Sequence, residues 1–264
     1  MLNKLLKYEF KSTARTLLPL YGVVIVLAIV NKIILEFKGK ISTSETFEVI
    51  SGIFSGLSIF LYVAVLVGLM VTTFVIIVQR FRKNLLGDEG YLMNTLPVKP
   101  WQNILSKLII AMLWTLVGLI VGIITIIILA YHKDIFFDIR MMWYEIKMAL
   151  SQGETVTTIM LITTYLVNFI SAILLIYVSL CIGSLFSQYR VIASFAAYLV
   201  IDFAKSTIAL MLGVLIMGLD MFATSSISGE MTVYLGVNLV FSIVLAIVYY
   251  FGCEYILAKK LNLE

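Results

Sequence analysis

Two oppositely charged residues lie inside a long apolar stretch of this chain. Asp202 and Lys205 are three positions apart within the run from Val191 to Leu219. In a helix this spacing places both side chains on nearly the same face, where their charges can neutralise each other. Ionisable residues in such surroundings form structural ion pairs between helices, line a transport route or carry protons. We interpret these two residues as a structural ion pair and keep the transport roles as alternatives.

A second group of candidate residues lies between Arg80 and Pro100. Asp88 and Glu89 can pair with basic groups of another protein, and Tyr91 is a side chain of the kind that anchors interfaces. The same segment predicts a short helix with apolar contacts from Leu85, Leu86, Leu92 and Met93, flexible points at Gly87 and Gly90, and stops at Pro97 and Pro100. It is therefore either a docking loop or an ordinary solvated turn.

The sequence contains no set of residues that indicates catalysis or a metal site. His132 is the only histidine, and Cys181 and Cys253 lack metal-ligand spacing, so we interpret the two cysteines as packing residues. No G-x-x-x-x-G-K-[ST] phosphate-binding motif occurs. We therefore predict no catalytic residues, no metal and no cofactor in this chain, and any ATP would be bound by another chain.

Membrane helices must position these residues, because the chain is 62% hydrophobic and 13% charged, with a mean hydropathy of +1.08. A water-soluble domain of 264 residues could hardly bury so much apolar surface. Six stretches reach the roughly 20 residues that a helix needs to cross the hydrocarbon. They cover residues 17–35, 53–78, 104–130, 159–186, 191–219 and 232–257. We predict an all-α polytopic membrane protein with six transmembrane helices.

Positive charge is unevenly distributed between the two sides of this arrangement. Twelve Lys and Arg residues fall on one side and six on the other. Because positive residues favour the cytoplasmic side, both termini are expected in the cytoplasm, and no stripe of charge indicates nucleic-acid binding. The larger set comprises Lys4, Lys7, Lys11, Arg15, Arg80, Arg82, Lys83, Lys99, Lys107, Arg190, Lys259 and Lys260.

We predict a single transmembrane domain over residues 1–264. Its parts are an interfacial helix over 1–16, two spans within 17–79, a loop over 80–102, two spans within 103–186 and two within 187–264. Residues 1–16 combine an apolar face with a basic face, which is typical of a helix lying in the membrane plane. A charged anchor that only sets the topology accounts for the same basic residues.

Three further expectations concern helix packing and the outer surface. Gly118-x-x-x-Gly122 and Gly52-x-x-x-Gly56 predict close approach of helices, either within the subunit or across a dimer. The fifth span is too long for one straight crossing, so it either tilts or is followed by a short re-entrant piece over residues 223–229. The amphipathic segment 132–154 predicts a helix at the outer membrane surface.

The amphipathic N-terminal helix, the six spans and a first cytoplasmic loop reading GDEGYLMNTLPV together resemble the membrane subunits of bacterial type 2 ABC exporters. The resemblance covers nearly the whole chain and is closest to permeases of peptide-export and peptide-immunity systems. In that family the first cytoplasmic loop forms a coupling helix that sits in a groove of a separate ATP-hydrolysing subunit. The resemblance implies that the contact is made by Asp88, Glu89, Gly90, Tyr91 and Leu92.

The resemblance also implies an assembly and an activity. Two permease subunits, identical or different, would combine with two ATPase subunits that hold ATP and Mg. The expected function is export of an amphipathic peptide or hydrophobic antimicrobial across the bacterial cytoplasmic membrane. The alternatives are a membrane scaffold or sensor that binds the ATPase without transport, and an intramembrane enzyme, for which the spans offer no catalytic groups.

Overall fold

Helices make up almost all of the described chain. A computed structural model describes residues 2–40, 45–87, 90, 99–130, 135–151, 155–186, 188–220 and 227–259. Within these ranges we number the α-helices α1 (Leu2–Lys40), α2 (Glu45–Phe81), α3 (Pro100–Ala130), α4 (Ile135–Ser151), α5 (Thr155–Ser184), α6 (Arg190–Asp220) and α7 (Ile227–Lys259). A π-helical turn, Arg82–Leu86, continues α2. No strand occurs in these ranges.

Six of these helices, all except α4, are long and apolar enough to cross a membrane. The protein is therefore an all-α polytopic membrane protein, and the predicted fold class is confirmed. The helices extend beyond several of the apolar stretches recognised in the sequence; α2, for example, begins at Glu45. The reason is that helical hydrogen bonds continue into polar flanking residues, whereas hydropathy marks only the part that suits hydrocarbon.

The first helix is continuous from Leu2 to Lys40, and the location of residues 1–16 in the membrane interface stays a prediction. Nothing in residues 2–18 interrupts a helix, because this segment contains neither glycine nor proline. Pro19 lies inside α1, where it removes one backbone donor but does not end the helix. The basic N-terminal segment and the first span thus form one element.

The structure divides into two compact units, and the first comprises Met1–Gln79 and Ile109–Asp138. Its core surrounds Trp114, whose ring stacks on Phe10 with centroids 5.4 Å apart. The indole nitrogen donates a hydrogen bond to the Thr13 hydroxyl over 2.7 Å, and the Tyr21 hydroxyl donates to the Trp114 carbonyl over 3.0 Å. These polar contacts hold α1 against α3.

Farther along the first unit, Tyr62 of α2 donates a hydrogen bond to Thr125 of α3 over 2.8 Å. The Thr125 hydroxyl in turn donates to the carbonyl of Gly122, also over 2.8 Å. Both side chains are buried, so each hydroxyl needs a protein partner. The first unit is thus joined at both α1–α3 and α2–α3 by hydrogen bonds between otherwise apolar helices.

The second unit comprises Arg80–Leu108 and Ile139–Glu264. Helix α5 is its centre, because 56% of the most apolar window of α5 is buried, whereas no residue of the corresponding window of α6 is. Contacts between α5 and α7 join residues that advance together along both helices, from Thr157 with Thr232 to Cys181 with Cys253. Helices α5 and α7 are therefore parallel, as alternating crossings require.

Large apolar side chains are widely exposed on the spanning helices, which is expected where lipid replaces water. Phe60, Phe203 and Phe251, for example, are among the exposed aromatic residues. Because hydrocarbon does not drive apolar helices together, packing and interhelical hydrogen bonds must determine how they associate. The polar contacts between helices therefore matter to the fold as much as the apolar core does.

Candidate functional site

The chain leaves α2 through a junction fixed to α5. Phe81, the last residue of α2, stacks on Tyr177 of α5 with ring centroids 4.0 Å apart and planes 11° from parallel. Both side chains are almost completely buried, at 0% and 1% exposure. The π-helical turn that follows buries Leu85 and Leu86. The start of the 80–102 loop is thus held by aromatic and aliphatic packing.

The chain enters α3 through a second junction fixed to α7. Pro100 is the first residue of α3, and its missing amide hydrogen is tolerated in a first helical turn. Pro97, the other predicted stop, lies outside the described residues. The Tyr250 hydroxyl of α7 donates a hydrogen bond to the Trp101 carbonyl over 3.3 Å. Asn103 and Lys107 in the next turns are buried. Both ends of the loop therefore contact the α5–α7 pair.

Most of the predicted contact residues within this loop, Asp88, Glu89, Tyr91 and Leu92, lie outside the described residues. Gly90 is described, and its amide donates a hydrogen bond to the Gly87 carbonyl over 2.8 Å. This bond lies directly after the buried Leu86. The contact with an ATPase subunit stays a prediction for all five residues, and the structure locates the two junctions that flank them.

A polar seam runs along the line where α5 meets α7. We define this seam by Thr157, Asn168 and Cys181 of α5 and their partners on α7. The hydroxyls of Thr157 and Thr232 are 3.1 Å apart, the Asn168 amide nitrogen donates to the Asn238 side-chain oxygen over 3.1 Å, and the Ser242 hydroxyl donates to the Asn168 oxygen over 2.8 Å. The Cys181 and Cys253 sulfurs are 3.1 Å apart. The seam thus links the two helices at three levels.

The cysteines are free thiols and both are 0% exposed, in agreement with their interpretation as packing residues. They contact each other directly, which their separation in the sequence did not reveal. A small thiol at each position lets the two helices approach closely. The direct contact between the Cys181 and Cys253 sulfurs is therefore the last contact of the seam.

Three buried hydroxyls near the seam have no hydrogen-bond partner among the described residues. They belong to Thr164 and Ser171 of α5 and Tyr249 of α7. Hydroxyls in apolar helices normally donate to a carbonyl one turn earlier, as Ser184 does to the Cys181 carbonyl over 2.7 Å. Leaving a buried hydroxyl unpaired costs about 1–3 kcal/mol. Each of these groups therefore has unused capacity to bind a polar ligand.

Asp202 and Lys205 both lie on α6 and both are half-buried, but no ion pair joins them in the described structure. Their positions are about 60° apart around the helix. Because neither side chain is fully buried, each can extend along a different side of α6. The three-residue spacing alone therefore does not bring Asp202 and Lys205 into contact.

The tightest approach between helices at a described glycine occurs at Gly183, which the sequence patterns did not indicate. A Cβ added to Gly56 or Gly122 would meet no neighbouring atom of this chain within 4 Å, so close packing at these two positions across a dimer stays a prediction. A Cβ at Gly118 would touch the Tyr21 side chain at an ordinary 3.4 Å. In contrast, a Cβ at Gly183 of α5 would collide with Ser194 of α6. A G-x-x-x-G pattern alone does not show which face of a helix meets a neighbour.

The outer segment predicted to be an amphipathic helix is α4, Ile135–Ser151. Its described aromatic side chains, Phe137, Trp143 and Tyr144, are exposed, and so are Met141 and Met142. His132 lies outside the described residues, as does most of the segment 223–229 that the sequence offers for a re-entrant piece. The helix itself is confirmed, and its contact with the membrane surface stays a prediction.

The geometry adds functional candidates that sequence reasoning missed. Asn168 and Asn238 are carboxamides in apolar spans, a signal that could have identified the seam, because such residues are rare and usually hydrogen-bonded between helices. No sequence signal distinguished Phe81 and Tyr177 from other apolar residues. Among the described residues, no three His, Cys, Asp or Glu side chains gather as metal ligands do.

The fold and these contacts define the class of the protein as a multi-pass, all-α membrane protein with a polar seam between two of its spans. The chain matches no protein-family model, no curated protein and no solved structure. Its function is therefore inferred from its own residues and geometry.

Proposed function

We propose that this chain is the permease subunit of an ATP-driven exporter of the type 2 ABC class. It would move an amphipathic peptide or a hydrophobic antimicrobial out of the cytoplasm or the membrane. Two permease copies, identical or different, would act with two ATPase subunits, and nucleotide chemistry with Mg would take place entirely on those partners. The chain itself would be neither an enzyme nor a nucleic-acid-binding protein.

The observation that carries this proposal is the attachment of the 80–102 loop at both ends. Phe81 stacks on α5 at one end, and the Trp101 carbonyl accepts a hydrogen bond from α7 at the other. A force applied to the loop by a partner would therefore reach two spanning helices that are themselves linked by the polar seam. An ordinary solvated turn has no need for two such junctions.

The proposed mechanism uses this connection. Movement of the ATPase subunits shifts the loop, the two junctions pass the shift to α5 and α7, and the pair moves while its seam stays hydrogen-bonded. Apolar side chains such as Ile, Val, Phe and Met suit a hydrophobic substrate, because they impose little geometric selection. The asymmetry of Lys and Arg supports cytoplasmic termini, and hence a loop on the side where ATP is available.

The first test is identification of the partner. Gentle extraction of the tagged protein from its native membrane, followed by mass spectrometry, is expected to recover a stoichiometric protein with a phosphate-binding motif. Purification without any ATPase in several detergents would contradict the proposal. Recovery of an ATPase whose hydrolysis responds to no peptide or hydrophobic compound would favour the scaffold or sensor alternative.

A second test addresses the loop directly. The double variant Glu89→Ala, Tyr91→Ala should insert normally but reduce substrate-stimulated ATP hydrolysis by about tenfold or more, because it removes a charged partner and an aromatic anchor. The matched control is Tyr144→Ala, Glu145→Ala in α4, which removes the same residue types elsewhere. If both double variants retain full stimulated hydrolysis, the loop is not the contact.

A further inference from the structure

Three polar groups from different helices fall at one level of the second unit. Ser171 of α5 is fully buried, Tyr249 of α7 is 5% exposed, and their hydroxyls have no partner among the described residues. Asp202 of α6 is half-buried and forms no ion pair there. A carboxylate in an apolar span is costly unless something compensates its charge. The two hydroxyls and the carboxylate are therefore candidates for binding a ligand.

The register between α6 and α7 brings Asp202 to Tyr249. A Cβ on Gly213 of α6 would lie 3.7 Å from the Tyr234 ring of α7. Consecutive spans are antiparallel. A step toward the N-terminus of α6, from Gly213 to Asp202, therefore matches an equal step toward the C-terminus of α7, from Tyr234 to Leu245. Tyr249 is one turn farther along, and helical side chains lean toward the N-terminus, over the turn at Leu245.

The register between α5 and α7 brings Ser171 to the same level. Asn168 of α5 is hydrogen-bonded to Ser242 of α7, and these helices are parallel. Ser171 lies beyond Asn168 by the same number of residues as Leu245 lies beyond Ser242. At the level of Leu245 there are therefore a hydroxyl of α5, a carboxylate of α6 and the phenol of Tyr249.

We propose that Ser171, Asp202 and Tyr249 form a binding site for the primary ammonium group of an amphipathic ligand. A primary ammonium carries three N–H donors and a full positive charge, and the three side chains offer oxygen acceptors and a compensating negative charge. The apolar tail would lie along the exposed apolar surface of α6, where Phe203 and Val200 are exposed. Because the most apolar part of α6 has no buried residue, the ligand reaches Asp202 from the lipid phase without crossing a packed core.

Lys205 is the other charged group of α6 near this site. It lies three positions after Asp202 and is half-buried, yet it forms no ion pair with that carboxylate in the described structure. Its positive charge therefore opposes an incoming cation and does not take the place of one. The role of the site in transport rests on the proposed function, whereas ligand binding itself requires neither an ATPase nor a second permease.

The test is equilibrium binding of radiolabelled dodecylamine to the full chain in phosphatidylcholine nanodiscs, corrected for empty nanodiscs. Wild-type protein is expected to bind one equivalent, and Asp202→Asn to bind about tenfold or more weakly. Ser171→Ala and Tyr249→Phe should each weaken binding by a smaller factor. The matched control, Glu254→Gln on α7, should bind as the wild type does.

Two analogues test the chemistry of the headgroup. Dodecyltrimethylammonium keeps the charge but has no N–H donor, and dodecanol keeps a donor but has no charge, so both should bind more weakly than dodecylamine. Equal binding of all three, or unchanged dodecylamine binding in an Asp202→Asn protein of normal elution volume and helicity, would overturn the proposal. Weaker dodecylamine binding by Lys205→Met would also overturn it, because that variant removes only an opposing charge.

The source of the ammonium is decided by adding phosphatidylethanolamine to the nanodiscs. Competition with dodecylamine identifies a lipid headgroup as a ligand, and lack of competition identifies a free amphiphile; both results support the ammonium site. Failure to isolate an ATPase would overturn the proposed function and leave these binding results unaffected. If dodecylamine does not bind as expected, the proposed function still stands, but with a different substrate.

Discussion

At the scale of single residues, the protein depends on a few polar side chains placed between apolar helices. The Asn168–Asn238–Ser242 cluster illustrates the energetics. In lipid, each interhelical hydrogen bond contributes modestly, about 0.6 kcal/mol on average and up to about 1.7 kcal/mol. The cost of leaving one partner unpaired is larger than this gain, so such clusters are sensitive to single substitutions and tolerant of paired ones.

We predict this asymmetry for Asn168 and Asn238. Asn168→Leu alone and Asn238→Leu alone should each destabilise the protein by about 1–3 kcal/mol, because each removes the hydrogen bond between the two carboxamides and leaves the remaining one incompletely paired. The double variant should lose less than the sum of the two, with a coupling of about 0.6–1.7 kcal/mol. Reversible unfolding in mixed micelles measures all four proteins. Strict additivity would show that the two amides do not interact.

The seam also shows what residue-level reasoning from sequence can achieve. Asn168 and Asn238 stand out as carboxamides within apolar runs, so their importance is predictable from the sequence alone. Their pairing is not, because it depends on the register of two helices that are far apart in the chain. The same limit applies to Asp202 and Lys205: their spacing indicates a mutual contact, but no ion pair joins them in the described structure.

At the scale of elements, hydropathy predicts the spans because each helix must satisfy its own backbone groups in lipid. All six predicted spans correspond to long helices, and α4 corresponds to the predicted outer helix. Helix ends are harder to predict, since α2 begins at Glu45, before the apolar stretch that the sequence indicates from residue 53. The junctions at Phe81 and Trp101 could not be predicted from the sequence, because aromatic packing and a backbone acceptor leave no pattern in it.

Helix contacts give a prediction with an internal control. Gly183→Ala should strongly reduce the yield of monodisperse protein, because the added methyl group would collide with Ser194, including its backbone. Gly122→Ala adds the same group where nothing lies within 4 Å. It should be neutral or stabilising by up to about 1 kcal/mol, since alanine favours a helix interior over glycine. Size-exclusion profiles and thermal unfolding compare the two, and equal behaviour would refute the contact at Gly183.

At the scale of the whole molecule, the segments that flank the six spans form two groups that differ in positive charge. The uneven distribution of Lys and Arg predicts which group faces the cytoplasm. The two native cysteines are fully buried, so the protein has little background reactivity toward aqueous thiol reagents. The orientation can therefore be measured with single introduced cysteines at exposed positions.

We predict that Lys147→Cys in α4 reacts with a membrane-impermeant maleimide in intact cells. Arg82→Cys, also at an exposed position, should react only after the membrane is permeabilised. The unsubstituted protein provides the background. Labelling of Arg82→Cys in intact cells, with protection of Lys147→Cys, would reverse the orientation and place the 80–102 loop beyond the reach of a cytoplasmic ATPase.

The π-helical turn at Arg82–Leu86 has a geometric consequence for everything that follows it. Its wider hydrogen-bonding ring accommodates one residue more than an α-helical turn, so it shifts the angular phase of the chain by about 100°. Leu85 and Leu86 reach the interior with this phase. Removing a single residue from the turn would reset the angle at which the chain leaves the membrane helix, while leaving its composition almost untouched. The direction in which the loop is presented is thus encoded by one inserted residue.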